Sequence, residues 1–85
     1  MRVRFSIEAP HAKQVLLAGD FTDWEANARA MRKSGPRART FFTTVSVPPG
    51  EHQYKFIIDG AWVPDPKAAY IPNPFGTENS VINVS

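Results

Sequence analysis

The sequence has no cysteine, which excludes disulfides and any cysteine-ligated zinc site. No stretch approaches the roughly 18 consecutive apolar residues of a membrane helix. The five glycines are well separated, so no glycine-rich phosphate loop can be drawn. Only two histidines occur, His11 and His52. They stand apart, at no spacing that suggests a metal site or a base and nucleophile pair, and each reads as a surface or strand residue. Excess charge is small: ten Lys and Arg against eight Asp and Glu, a formal +2. Charges also interrupt Met1 to Glu8, where a secretion signal would need an apolar run, so the cytoplasm is the expected compartment. The sequon Asn83-Val84-Ser85 is set aside, because it falls in an expected strand with no secretion signal before it.

What is present suffices for a core. The 85 residues are 42% hydrophobic and 12% aromatic, with six Phe, two Trp and two Tyr, and they are expected to form one domain over 1–85. The dominant pattern has period two. Val3, Phe5 and Ile7 alternate with Arg4, Ser6 and Glu8, as in a half-buried strand ending before Pro10. Val15 to Ala18, Phe41 to Val47, Glu51 to Asp59, a short piece at Trp62, and Ser80 to Val84 read as further strands. Eight prolines punctuate what would otherwise have to be helices, and no window has helical spacing with caps. Five to seven short strands with turn signals between them predict an all-β antiparallel sandwich.

The most polar segment runs from Asn27 to Thr40. It holds Arg29, Arg32, Lys33, Arg37 and Arg39 around Ser34-Gly35-Pro36. It reads as a long solvated connection, with a polyanion-binding patch at 29–39 as the alternative.

Asp59-Gly60 favours a two-residue type I′ turn, because both central residues must take positive φ. Register follows: Ile58 faces Ala61, Ile57 faces Trp62 and Phe56 faces Val63. Tyr54, Phe56, Ile58, Ala61 and Val63 then share the core face, and Lys55, Ile57 and Trp62 share the other. Lys55 and Trp62 become diagonal neighbours about 7 to 8 Å apart. A flat ring with an ammonium at its rim suits a sugar, whose C–H faces are apolar and whose edges carry hydroxyls. The competing reading is that Trp62 covers a second hydrophobic layer together with the Lys55 stem.

Gly19-Asp20-Phe21-Thr22-Asp23-Trp24, the run Pro49 to Trp62, Asp65-Pro66, and Asn73-Pro74-Phe75-Gly76-Thr77-Glu78-Asn79-Ser80-Val81-Ile82 together resemble carbohydrate-binding module family 48. That family includes the glycogen-binding domain of the AMP-activated protein kinase beta subunit and the N-terminal early-set domains of isoamylases and glycogen branching enzymes. The blocks cover essentially the whole chain in order. The resemblance implies an immunoglobulin-like (early-set) β-sandwich that binds α-glucan, such as glycogen, starch or maltooligosaccharide, without cleaving it. It implies carbohydrate-binding roles for Trp24 and Trp62 as stacking rings, for Lys55 and Asn79 as hydroxyl binders, and for Thr77 on a wrapping loop. At the apolar position of that loop the kinase subunits have leucine and this chain has Phe75. Trp24 could instead be a core tryptophan, and Thr77 and Asn79 simple strand-edge hydrogen-bonders. Possible partners include an amylolytic enzyme or a kinase; no membrane or nucleic acid is expected. The alternative function is an early-set protein-interaction module or a polyanion binder.

Catalysis is not expected. Glycoside hydrolysis normally needs two carboxyls about 5 to 9.5 Å apart in a cleft. Of the eight acids, Asp59 belongs to a turn, Asp65 lies between prolines, and Asp20 and Asp23 precede Trp24, where Asx turns are expected. No catalytic residue, metal or cofactor is indicated.

Overall fold

The computed structural model describes residues 1–85. Nine strands follow in chain order: β1 (Arg2–Glu8), β2 (Val15–Gly19), β3 (Arg29–Ala30), β4 (Arg32–Lys33), β5 (Thr40–Ser46), β6 (Gly50–Ile58), β7 (Ala61–Val63), β8 (Ala69–Pro72) and β9 (Glu78–Val84). Two 3-10 turns, Asp20–Thr22 and Trp24–Asn27, lie between β2 and β3. All pairings are antiparallel. One sheet has the order β1-β5-β4; the larger has β3-β2-β6-β9-β8, with β7 on β6. The two form a β-sandwich, as the period-two pattern predicts.

Inward residues of both sheets build the core: Phe5, Ile7, Phe41 and Val45 from the smaller sheet, Val15, Leu17, Tyr54, Phe56 and Val84 from the larger. Aromatic rings interlock inside it. Tyr54 meets Phe5 and Phe56 edge-on, with centroids 4.9 and 5.8 Å apart. The Tyr54 hydroxyl donates to Asp65 at 2.7 Å, and the Asp65 N–H donates to Ser80 Oγ at 2.6 Å. This fixes the Pro64–Pro66 corner against β9. Burial first, and then the Asp65 carboxylate, hold the phenol well above its usual range, so it stays a hydrogen-bond donor.

The Asp59-Gly60 hairpin has the expected register, Phe56 to Val63, Ile57 to Trp62 and Ile58 to Ala61, with both turn residues at positive φ, 49° and 86°. The Asp59 carboxylate also accepts the backbone N–H groups of Lys13 and Gln14, which ties the turn to the start of β2.

The segment 29–39 is more than a connection. Arg29 and Ala30 pair with Leu17 and Leu16 in the larger sheet, and Arg32 and Lys33 pair with Phe42 and Phe41 in the smaller one. Met31 between them is buried in the core. A two-residue bridge is too short to show a period, and a single apolar residue among arginines gives no stripe. β8 escaped the sequence reading for a related reason: it ends in Pro72, which edge strands tolerate.

No helix of the protein is long and apolar enough to cross a membrane.

Candidate functional site

The site forms where β6 changes partners. β9 pairs with Gly50 to Tyr54 and β7 with Phe56 to Ile58, so Lys55 sits at the hand-over between them. Its side chain points to the outer face of the larger sheet, opposite the core. Continuing the β6–β9 register one step beyond Tyr54 and Ser80 brings Asn79 beside it.

Three segments wall this point into a groove of about 620 Å³ lined by Trp24, Glu25, Lys55, Trp62, Asn73, Pro74, Phe75, Thr77 and Asn79. Trp24, Lys55, Trp62, Phe75, Thr77 and Asn79, scattered over 56 positions of sequence, are thus brought together. Lys55, Trp62, Asn73 and Thr77 also border an adjoining cavity that reaches Pro64, Pro72 and Glu78. Lys55 and Thr77 thus stand at a waist where the two spaces adjoin.

Trp24 is carried by irregular backbone. Asp23 and Trp24 both have positive φ, 54° and 55°, a left-handed conformation that costs about 1 kcal/mol or more per non-glycine residue. Thr22 holds it in place. Its buried hydroxyl accepts the Gly19 N–H at 2.9 Å and lies 2.9 Å from the Trp24 carbonyl, to which it can donate. Trp24 is half-buried and outside the core cluster.

Asp20 anchors the same turn to β6. Its carboxylate accepts the Gln53 N–H at 3.0 Å and meets His52 Nδ1 at 2.8 Å. The Asx turn expected at Asp20 is thus replaced by a long-range bond. His52 Nε2 lies 2.8 Å from the Pro48 carbonyl, so both ring nitrogens face acceptors and the imidazolium is favoured. The Asp20 bond raises the His52 pKa above 6.5, partial burial opposes it, and the Pro48 carbonyl adds to the rise.

Trp62 is 42% exposed and Phe75 88% exposed, large apolar surfaces that folding leaves in water at one place. Beneath Trp62 a second layer does exist. Ile57, Lys55 and Ala18 on the same outer face are all buried, and Trp62, paired with Ile57 on that face, is 42% exposed beside them.

Lys55 departs from the expectation of a rim residue, being only 6% exposed. Its ammonium donates to Thr77 Oγ1 at 3.3 Å, its one hydrogen bond within the protein, although an ammonium has three donors. Buried charges are normally well partnered. Two hydrogens at the floor of an open groove are free for a ligand. Asn79 is buried, with Oδ1 accepting from Asn73 and Nδ2 donating to Gln53; one amide hydrogen and one lone pair remain to it.

Asn73, Pro74 and Glu25 line the groove and were not anticipated. The turn-forming run Asn73-Pro74-Phe75-Gly76 could have flagged Asn73, since an Asn side chain often closes such a loop. Glu25 carries no distinguishing pattern. Chemically, the groove offers two indole faces, an exposed phenyl ring, a desolvated ammonium and small polar groups. No group of three or more His, Cys, Asp or Glu that could hold a metal is present.

Residues 2–85 match the family model described as the glycogen recognition site of AMP-activated protein kinase. Among similar proteins, the 5'-AMP-activated protein kinase subunit beta-2 of Mus musculus is 35% identical over 72 residues, which are 85% of this chain and 25% of that protein. The subunit beta-1 of Sus scrofa is also 35% identical over 72 residues, 85% of this chain and 55% of that protein. The subunit beta-1 of Bos taurus is 36% identical over the same length, 25% of its own. The chain therefore spans a quarter to about half of these relatives.

Proposed function

We propose, from the premise that this chain belongs to the family of the glycogen recognition site of AMP-activated protein kinase, that its 85 residues act as one noncatalytic domain whose groove holds α-glucan. The observation that carries this reading is the composition of the groove. Trp24 and Trp62 border the same space as a buried lysine with unfilled donors. Apolar faces suit the C–H faces of glucose, and ammonium, hydroxyl and amide groups suit its hydroxyls. Phe75, exposed at the tip of its loop, closes over a bound chain. Thr77 and Asn79 bond sugar oxygens beside Lys55.

The same reading makes the domain a targeting device. It brings whatever it is joined to, a kinase assembly as in its relatives' names or an amylolytic enzyme, onto glucan. The cytoplasm is the compartment assigned to it on this reading. Titration with maltoheptaose or β-cyclodextrin, followed by tryptophan fluorescence and calorimetry, tests the proposal. Saturable binding with a dissociation constant between about 1 μM and 1 mM is expected. No binding at about 10 mM sugar rejects it.

A further inference from the structure

Asn73 follows β8, and its side chain fills its whole hydrogen-bonding capacity. Nδ2 donates to Thr77 Oγ1 at 2.7 Å and to Asn79 Oδ1 at 2.9 Å. Oδ1 accepts the N–H groups of Phe75 at 3.0 Å and Thr77 at 3.2 Å. A carboxamide has two N–H donors and two acceptor lone pairs, so this one has nothing left for a ligand although it lines the groove. Its backbone closes the same loop: the Asn73 N–H donates to the Thr77 carbonyl at 2.9 Å, and the Asn73 carbonyl accepts from Gly76 at 3.3 Å.

Thr77 is the other end of this arrangement. Its Oγ1 receives both Asn73 Nδ2 and Lys55 Nζ. With both lone pairs engaged, the hydroxyl can interact with a ligand only through its proton. We infer that Asn73 is a positioning residue of the glucan site, which sets the Phe75 loop and, by occupying Thr77 as an acceptor, makes Thr77 a donor to the sugar. This inference rests on the glucan reading. Its consequence for specificity is a waist that only donates: two ammonium hydrogens from Lys55 and one hydroxyl hydrogen from Thr77. The sugar oxygen seated there acts as an acceptor.

A double-mutant cycle between Asn73 and Thr77 tests this, read by calorimetry with β-cyclodextrin. Asn73→Ala is expected to weaken binding about tenfold or more and Thr77→Val about fivefold. The double variant should bind within about twofold of Asn73→Ala, because the first change already removes what the second would. Losses that multiply, or wild-type affinity in Asn73→Ala, overturn the inference. If Asn73→Ala does not fold, Asn73→Asp replaces it in the cycle. The carboxylate keeps the acceptor for the two loop N–H groups but draws the Thr77 proton inward. Thr77→Val should then cause no further loss, and a full fivefold loss in that background overturns the inference. A second arm needs no sugar: in the ligand-free protein, the Phe75 and Thr77 amide hydrogens should exchange at least about tenfold faster in Asn73→Ala. Unchanged exchange overturns the loop-setting role. A wild-type protein that binds no β-cyclodextrin removes the glucan reading, and with it the donor role of Thr77, while the exchange arm still decides whether Asn73 holds the loop.

Discussion

Lys55 illustrates how one residue can serve packing and recognition through different atoms. Its stem is buried in the layer under Trp62, while its ammonium lies at the floor of the groove with one long bond to Thr77. The two roles separate under different substitutions. Lys55→Met keeps most of the stem volume and removes every donor. It is expected to cost less than about 1 kcal/mol of stability, and to weaken maltoheptaose binding by about tenfold to a hundredfold, since a charged hydrogen bond contributes about 1.5 to 3 kcal/mol. Lys55→Ala should lose stability as well, because it also leaves a cavity. Denaturation and calorimetry on the pair decide the matter, and unaltered binding by the methionine variant would assign Lys55 to the scaffold alone. Trp62 is also shared between the two tasks, since it pairs with buried Ile57 on the outer face and still leaves 42% of its surface exposed. Stacking a sugar on its free face removes about 100 Å² of apolar surface counting both partners, worth about 2.5 kcal/mol. Trp62→Ala should therefore reduce affinity for maltoheptaose nearly a hundredfold. Calorimetry that finds wild-type affinity in this variant would move the sugar to a different surface.

At the scale of elements, the 3-10 turn Asp20–Thr22, which leads into Trp24, depends on two contacts with β6. Gly19, at its start, has extended backbone, so its need for glycine is one of space. A Cβ there would lie 2.8 Å from the Gln53 carbonyl oxygen and 2.8 Å from the Phe21 ring. The ring can turn, but the carbonyl belongs to β6 and cannot move without separating strands. Gly19→Ala should destabilise the protein by about 1 to 3 kcal/mol in chemical denaturation. The second contact is the Asp20–His52 pair. Because the folded pKa of His52 is raised, its contribution is fully present below the unfolded value of 6.5 and fades as pH rises through the folded value. The unfolding temperature of the wild type should fall as pH rises above about 6.5, and Asp20→Asn should flatten that slope. An NMR titration placing His52 at or below 6.5 would remove the basis for this. Such long-range bonds explain what the sequence left hidden. The Asp59-Gly60 turn was legible because a two-residue loop dictates register, and register decides which side chains share a face. From it came the pairing of Lys55 with Trp62 on the outer face. The Asp20–His52 bond and the Asn73 hub have no such local rule, since each depends on loops meeting strands far along the chain. The burial of Lys55 was hidden for the same reason: alternation gives its face, and Trp62, the neighbouring 3-10 turn and the Phe75 loop come together around it only in the folded chain.

Over the whole molecule, charge and groove are kept apart. The groove opens on the outer face of the larger sheet. On the outer face of the smaller sheet, Arg4 and Arg32 stack on the Phe42 ring, 4.3 and 5.9 Å from its centroid. Two sheets packed about 10 Å apart lie between these faces, so these basic side chains cannot touch a ligand in the groove. Three of the four remaining basic residues of 29–39 are likewise engaged away from the groove. Arg39 meets Glu8 at 3.5 Å in an exposed pair. Lys33 reaches the Pro10 carbonyl over the Phe41 ring, and Arg29 sits at the edge pairing with Leu17. None of the five basic residues lines the groove or its adjoining cavity. A neutral glucan bound between tryptophans therefore has little to gain from them. Replacing Arg29, Arg32, Lys33, Arg37 and Arg39 by Gln should leave maltoheptaose affinity within about threefold, under 1 kcal/mol. Wild-type affinity should also be nearly the same at about 50 mM and about 500 mM salt. This combination separates glucan recognition from polyanion binding through the basic segment, which would fall steeply with salt. Calorimetry on both proteins at both salt concentrations measures all four values. A tenfold loss on neutralisation would bring the segment into the site, by direct contact or by loosening Met31, and unfolding midpoints of the two proteins would tell these apart, because Met31 lies in the core between the two bridges.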